Sequence, residues 1–316
     1  MREVRADPMT GRRVLLCDER LPALRPRRAD SATGDCAFCP DQEQDTRPTI
    51  AAIDGEHGWV ARAFANRLPA VVLEAELQTR FRGPEEGRDA FGAHEVIVES
   101  RRHAPWLSGA DTQAALQLAR MRLGDLLRDE RFEWVGWYRN RGTAAGASMV
   151  HPHAQVVALP FVPAEMEEGA RRQRDWFAAT HTPMLEAVID SARHDGRLLF
   201  EEGGVVALCP WAPEGAFDVW LVPSAASARF EGSSDALLGA TADAMSRVIT
   251  AYRRILDGPP YNAWLVQGGR RTEAGERWHL RLRPAILNTG GFERGGFGAM
   301  HPVFPEEAAR WLTTAL

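Results

Sequence analysis

FEWVGWYRNRGTAAGASMVHPHAQVVALP, residues 132–160, sets two apolar strands on either side of a loop made almost wholly of small residues. Residues 132–140 are rich in aromatic and β-branched side chains and read as a strand. Residues 142–147 are glycine, alanine and threonine and read as a tight connection. Residues 151–160 read as a second strand ended by Pro160. Strand side chains alternate between two faces, so His151, His153 and Gln155 are expected on one face.

Outward from this stretch the pattern continues in both directions. WVARAFAN (59–66) and HEVIVES (94–100) read as strands, with a polar loop over 80–93 between them. From Asp111 to Glu130, Leu116, Ala119, Leu123, Leu126 and Leu127 recur at helical spacing, and Asp111 is a fitting N-cap. Residues 1–50 are rich in Arg, Asp and Pro and read as an extended, loop-rich arm. Residues 164–195 are charged and mostly helical, a connector.

Beyond the connector the order of elements recurs. GGVVALCPW (203–211), AFDVWLVP (216–223), YNAWLVQGG (261–269) and WHLRLRPAIL (278–287) read as strands, and Ser234 to Leu256 as a long amphipathic helix. HEVIVES answers FDVWLVP, WVGWYRNRG answers YNAWLVQGG, and HPHAQVV answers HLRLRPA. The expectation is an α+β fold from a duplicated β-β-α-β-β unit, antiparallel sheets with helices packed on them. The halves divide as 1–165 and 166–316.

Composition narrows the function classes. The 316 residues carry a net charge of −5, so no global basic field draws in nucleic acid. Short basic clusters, Arg25 to Arg28 and Arg270 to Arg271, read as solvated loop charges. No apolar run reaches the ~18 residues of a membrane span, and the N-terminus lacks the apolar stretch of a secretory signal. A cytoplasmic protein is expected, with neither nucleic acid nor membrane as partner. Four cysteines in a reducing compartment would form no disulfide framework. Cys17 and Cys209 sit in apolar company, while Cys36 and Cys39 form a C-x-x-C that suits a metal knuckle or a redox pair.

The chemistry concentrates at His151-Pro152-His153-Ala154-Gln155. A neutral imidazole is a good nucleophile near pH 7 and a good leaving group, which suits covalent transfer of a phosphoryl-linked group. Small residues in the preceding loop let backbone N–H groups approach an anion. Gln155 and Ser148 are the nearest side-chain donors for developing negative charge.

The pattern Asn140-x-Gly142-x-x-x-Gly146-x-Ser148-x-x-His151-Pro152-His153-x-Gln155 resembles the galactose-1-phosphate uridylyltransferase family of the histidine-triad superfamily, whose relatives include ADP-glucose phosphorylase-like proteins. CAFCP (36–40), RAFANRLPA (62–70), GAHEVIVESRRH (92–103), GGFERGGF (290–297) and PEEAARWL (305–312) extend the likeness, in order, over most of the chain. The resemblance implies two histidine-triad-like halves and a nucleotidyl group carried on His153. It implies phosphate contacts from Gln155 and Ser148, with Asn140 and Gly146 shaping that loop. Glutamine at 155, where the hydrolases of the superfamily usually have histidine, is the transferase pattern. Cys36, Cys39, His103 and His151 take the positions of a structural zinc set. Asn66 and the strand from Arg62 to Phe64 take the base and ribose site, and Glu293 the sugar site. The implied partners are a nucleotide sugar with a sugar 1-phosphate or phosphate. Relatives are often dimers, so the resemblance allows a homodimer, but the sequence leaves the oligomeric state open.

The chain also departs from the family. Its last strand, WHLRLRP, has His279 as the sole histidine, so no second metal is expected. Arg281 and Arg283 share a face with His279 and suit either an anionic acceptor or an ion pair. The lysine near the Gly-aromatic-Glu element is not evident in AILNTG (285–290), and His301 stands where relatives often carry Asn. UMP or AMP as the group carried, and a sugar 1-phosphate or phosphate as acceptor, are alternatives the residues leave open. An intact His-Pro-His-x-Gln argues against a decayed, purely nucleotide-binding protein.

Overall fold

The computed structural model describes residues 2–10, 13–17, 36–224, 228–296 and 298–316. Arg25 to Arg28 lie outside these residues, as does the side chain of Cys17. The chain opens with β1 (Arg2–Ala6) and β2 (Arg13–Cys17). Then follow β3 (Thr49–Gly55), β4 (Gly58–Ala65), the side hairpin β5 (Thr79–Arg82) and β6 (Glu85–Arg88), and β7 (Ala93–Val98). Helix α1 (Gly109–Leu126) leads to β8 (Trp134–Arg141) and β9 (His153–Leu159). The connector is α2 (Ala164–Thr180) and α3 (Met184–His194). The second series is β10 (Leu198–Glu202), β11 (Val205–Leu208), β12 (Val219–Pro223), α4 (Asp235–Ile255), β13 (Tyr261–Val266) and β14 (His279–Pro284). Helix α5 (Gly291–Arg294), β15 (Ala299–His301) and α6 (Pro305–Thr313) close the chain.

Ten strands form one antiparallel sheet in the order β10-β11-β12-β14-β13-β8-β9-β7-β4-β3. Read from the middle outward, both halves show the same order, so the repeat is β-β-β-α-β-β, one strand longer than expected. Strands β8 and β13 pair directly, with Trp264 opposite Tyr138, and join the halves edge to edge. The first two strands do more than trail as an arm: β1 and β2 pair, and β15 adds parallel to β2 in a three-stranded sheet. The polar stretch expected as a loop holds the β5–β6 hairpin.

The register corrects the expected match between halves. Gln155 sits opposite Tyr138, and Arg281 opposite Trp264. Strands β9 and β14 each begin at a histidine, so His279 stands in the place of His153 and Arg281 in that of Gln155. Trp137 and Trp264 are not equivalent. Trp137 packs into the core under the helices, whereas Trp264 lies on the other face under the Arg283 guanidinium.

Helices α1 and α4 cover one face of the sheet, and small side chains explain how closely α1 lies on it. Ala61, Ala63 and Ala154 on the strands share one cluster with Ala119 of α1, all fully buried, and Leu116 and Leu123 belong to the same cluster. A fully buried leucine contributes about 1.5–3 kcal/mol. Ser108, not Asp111, caps α1. The Ser108 hydroxyl accepts from the Asp111 N–H, and the Asp111 carboxylate reaches back to the Ser108 N–H. On the opposite face, α3 packs over Val206, Leu208, Trp220 and Val222 of the second half. Over the first half, that opposite face carries His153.

Candidate active site

Two glycines aim the loop before β9. Gly142 has φ 81° and Gly146 φ 86°, conformations that side chains with a Cβ rarely adopt. Asn140, at the end of β8, accepts from the Asn262 Nδ2 at 2.8 Å, and the same nitrogen donates to the Ala145 carbonyl at 2.8 Å. The second half thus holds the loop of the first. Ser148 lines a small cavity with Arg141, Gly142 and Thr143, while Asn140, His151 and His153 line the neighbouring one.

Strand β9 begins at His153, so the expected single row from 151 to 155 is not formed. Pro152 gives up a backbone donor and the chain turns there. His151 stands before the strand, fully buried, and faces the cysteines. His153 and Gln155 alone share the strand face.

His153 is 5% exposed. Its Nδ1 donates to the His151 carbonyl at 2.9 Å, which leaves the Nε2 lone pair free. Burial lowers its pKa, and the nearby Arg139 adds to that effect. The ring is therefore neutral at pH 7. Phe38, from the C-x-x-C turn, packs edge-on to it at 5.4 Å and to Phe64 at 5.7 Å. Arg139 and Glu99 form a buried ion pair beside this cavity.

Cys36, Cys39, His103 and His151 come together as expected. Their ligand atoms lie within 4.8 Å of one another. Cys39 Sγ is 3.2 Å from His103 Nδ1, and His151 Nδ1 is 3.7 and 3.6 Å from the two sulfurs. A tetrahedral zinc, with Zn–S near 2.3 Å and Zn–N near 2.0–2.1 Å, needs sulfur–nitrogen edges of ~3.5 Å. The donor set could hold a metal ion. His151 Nε2 donates to the Ser100 carbonyl at 2.7 Å, which turns its Nδ1 lone pair toward the thiols. Burial pulls the His151 pKa down to about 4, so the ring stays neutral and ligand-competent. Burial and the adjacent Cys36 push the Cys39 thiol up, a penalty that a cation between them would remove.

The remaining expected residues are spread more widely. Gln155 Oε1 lies 2.8 Å from the Tyr138 hydroxyl and 2.7 Å from His94 Nε2. Asn66 closes the turn after β4, its Oδ1 accepting from the Leu68 N–H. Arg62 is 1% exposed and lies across Trp59 and Phe64, with one nitrogen on the Thr46 hydroxyl. Phe64 is core. Glu293 accepts from the Gly290 N–H and lines a separate cleft of about 790 Å³ with Asn262, Arg283 and His301. Arg281 and Arg283 resolve to ion pairs. Both reach Glu214, at 3.3 and 3.1 Å, and Asp7 and Asp218 lie 3.9 Å from them. His279 is fully buried, its Nε2 accepting from Arg281, and so lacks the free lone pair of its counterpart His153.

His94, Tyr138, Phe38 and the Glu99–Arg139 pair were not singled out from the sequence. The alternation of HEVIVES puts His94 on the face of Val96, but nothing in it reveals which strand lies alongside.

No protein-family model matches the chain. ADP-glucose phosphorylase from Arabidopsis thaliana is 27% identical, over 98% of this chain and 91% of that protein. Galactose-1-phosphate uridylyltransferase from Thermotoga maritima is 23% identical, over 99% and 98%. The crystal structure of an A. thaliana ADP-glucose phosphorylase with bound ADP-glucose superimposes with a TM-score of 0.85 at 24% identity, covering 99% of this chain and 98% of that one. The chain is a homologue of ADP-glucose phosphorylase and galactose-1-phosphate uridylyltransferase, and it has the fold of the uridylyltransferase-like proteins.

Proposed function

We propose that the protein transfers a nucleoside monophosphate, UMP or AMP, between sugar 1-phosphates through a covalent nucleotidyl-His153 intermediate. The observation that carries this reading is the 2.9 Å hydrogen bond from His153 Nδ1 to the His151 carbonyl, which leaves Nε2 as a free base. Named enzymes among the homologues support a transferase. In the first step the Nε2 lone pair attacks the α-phosphorus of a nucleotide sugar. A nitrogen–phosphorus bond forms, and the bond from the α-phosphorus to the bridging oxygen breaks. Sugar 1-phosphate leaves with that electron pair. The imidazole is now cationic, and its Nδ1–H stays on the His151 carbonyl. In the second step a phosphate oxygen of the acceptor attacks the same phosphorus, and the nitrogen recovers its lone pair. Donors at Gln155, Ser148 and the Gly142–Ser148 loop balance the charge on the phosphoryl oxygens. Asn140 and Gly146 hold that loop, Asn66 and Arg62 shape the nucleoside end, and Glu293 faces a sugar.

Cys36, Cys39, His103 and His151 would hold one zinc. Held by all four side chains, it would supply rigidity and not Lewis acidity. A phosphorylase, with inorganic phosphate as acceptor, is the second reading, favoured by the 27% identity to ADP-glucose phosphorylase. The two share the first step.

The test uses the purified protein with UDP-glucose, UDP-galactose or ADP-glucose and no acceptor. Intact mass is expected to rise by one UMP or one AMP, with sugar 1-phosphate released and no adduct on His153→Ala. Discharge by phosphate or by sugar 1-phosphate then separates the two acceptors. Donor binding without an adduct would overturn the covalent route.

A further inference from the structure

Strand β7 places His94 diagonally from Gln155, and the hydrogen bonds around the ring determine where its proton lies. The backbone N–H of Ala70 donates to His94 Nδ1 at 3.0 Å. A backbone N–H is a donor only, so Nδ1 is the acceptor nitrogen and the ring proton sits on Nε2. Nε2 then has to donate, and at 2.7 Å it meets the Gln155 side chain. The atom of Gln155 at that position is therefore its oxygen, whichever way the amide is first drawn. The opposite orientation would make both ring nitrogens acceptors, which a neutral imidazole cannot be. Tyr138 donates its hydroxyl to the same oxygen at 2.8 Å. Asn66 Nδ2 lies 3.1 Å from Nε2, but its own oxygen is held by the Leu68 N–H, so that approach is a contact between two donors and not a bond.

We infer that His94 and Tyr138 are positioning residues which hold the Gln155 amide with its oxygen turned away and its NH₂ presented as a donor on the His153 face of β9. Both lone pairs of the Gln155 oxygen are occupied, so the group can offer the site N–H alone. Phosphoryl oxygens accept and do not donate, so a freely rotating amide would face them with its oxygen part of the time. The chain from Ala70 through His94 to Gln155 also ties the turn at Asn66 to the phosphate end of the site. This inference rests on the nucleotidyl-transfer reading above for its consequence, but not for the tautomer.

Two measurements separate these. In protein with ¹⁵N-labelled histidine, the ring nitrogens of His94, assigned with His94→Phe, are expected to report a protonated Nε2 and a bare Nδ1. The reverse tautomer would overturn the inference with no reference to activity. Second, single-turnover adduct formation is compared in a double-mutant cycle. Tyr138→Phe is expected to slow it by about tenfold, the loss of roughly one hydrogen bond's worth of orientation. In a Gln155→Ala background the same change is expected to cost less than about twofold. A tenfold loss in both backgrounds means that Tyr138 acts through the fold and not through Gln155. Thermal unfolding of each variant checks that the site is intact. If wild-type protein forms no adduct with any donor, the transfer reading fails and the tautomer result still stands.

Discussion

Asp218 is buried just before β12, and burial pushes its pKa up to about 7 despite the nearby Arg283. Its Oδ2 accepts from the Glu214 and Gly215 N–H groups, while Oδ1 lacks a hydrogen bond among the described residues. A carboxyl group with a raised native pKa binds its proton more tightly in the folded state. Its stabilising contribution is full below about pH 4, the unfolded value, and is lost as pH rises through about 7. Asp218→Asn keeps the acceptor for both N–H groups and cannot ionise. The variant is expected to gain stability over wild type at pH 8 and to match it more closely at pH 5. Urea midpoints at the two pH values measure this, and an equal difference at both would contradict it. Residues of this kind were not legible in the sequence, because burial and neighbouring charges come from other strands. The C-x-x-C pair and the His-Pro-His-x-Gln run stood out because each is a short motif, whereas His103, 64 residues from Cys39, was joined to the cysteines through the family resemblance and not through spacing. Arg281 and Arg283 stood between. Alternation put them on one face, but Glu214, which pairs both, lies far away in the chain.

At the scale of elements, the C-x-x-C turn does two jobs. It brings two thiols to His103 and His151, and it lays Phe38 against His153. Cys36→Ser should therefore weaken metal binding and loosen the packing on His153 together. Wild-type protein is expected to carry about one zinc per chain by elemental analysis, and Cys36→Ser much less. The thermal midpoint is expected to fall by about 4–5 °C, as a loss of roughly 3 kcal/mol gives in a single unfolding unit of this length. A wild-type protein free of metal and a variant of unchanged midpoint would count against a structural zinc. The long elements were readable because their periodicity runs over many residues, as in α4 and its Ser234 cap. Short or mixed ones were not. Strand β3 carries an aspartate and a glycine and is largely exposed, and β10 ends in two glutamates, so neither alternates clearly. Strand β9 starts at His153 and not at His151, whose ring reaches the Ser100 carbonyl and the two thiols.

The repeat was visible along the whole chain, but its geometry was not. Sequence order sets Trp137 against Trp264, and the sheet places them on opposite faces, because one residue of slip exchanges the two sides of a strand. Nor does order alone say whether two half-sheets stack or join. Here they join through β8 and β13, and α1 and α4, from different halves, contribute to one continuous core. Cutting the chain near residue 165 would bare the β8 edge and the side of α1 that meets α4. The Asn262 grip on the loop before His153 would also be lost. The halves are therefore expected to unfold as one unit. Scanning calorimetry should give a single transition with calorimetric and van't Hoff enthalpies in a ratio near 1. Near-ultraviolet and far-ultraviolet dichroism should report the same midpoint. Two resolved transitions would mean that each half is stable alone, and that the β8–β13 junction is a weak contact between finished domains.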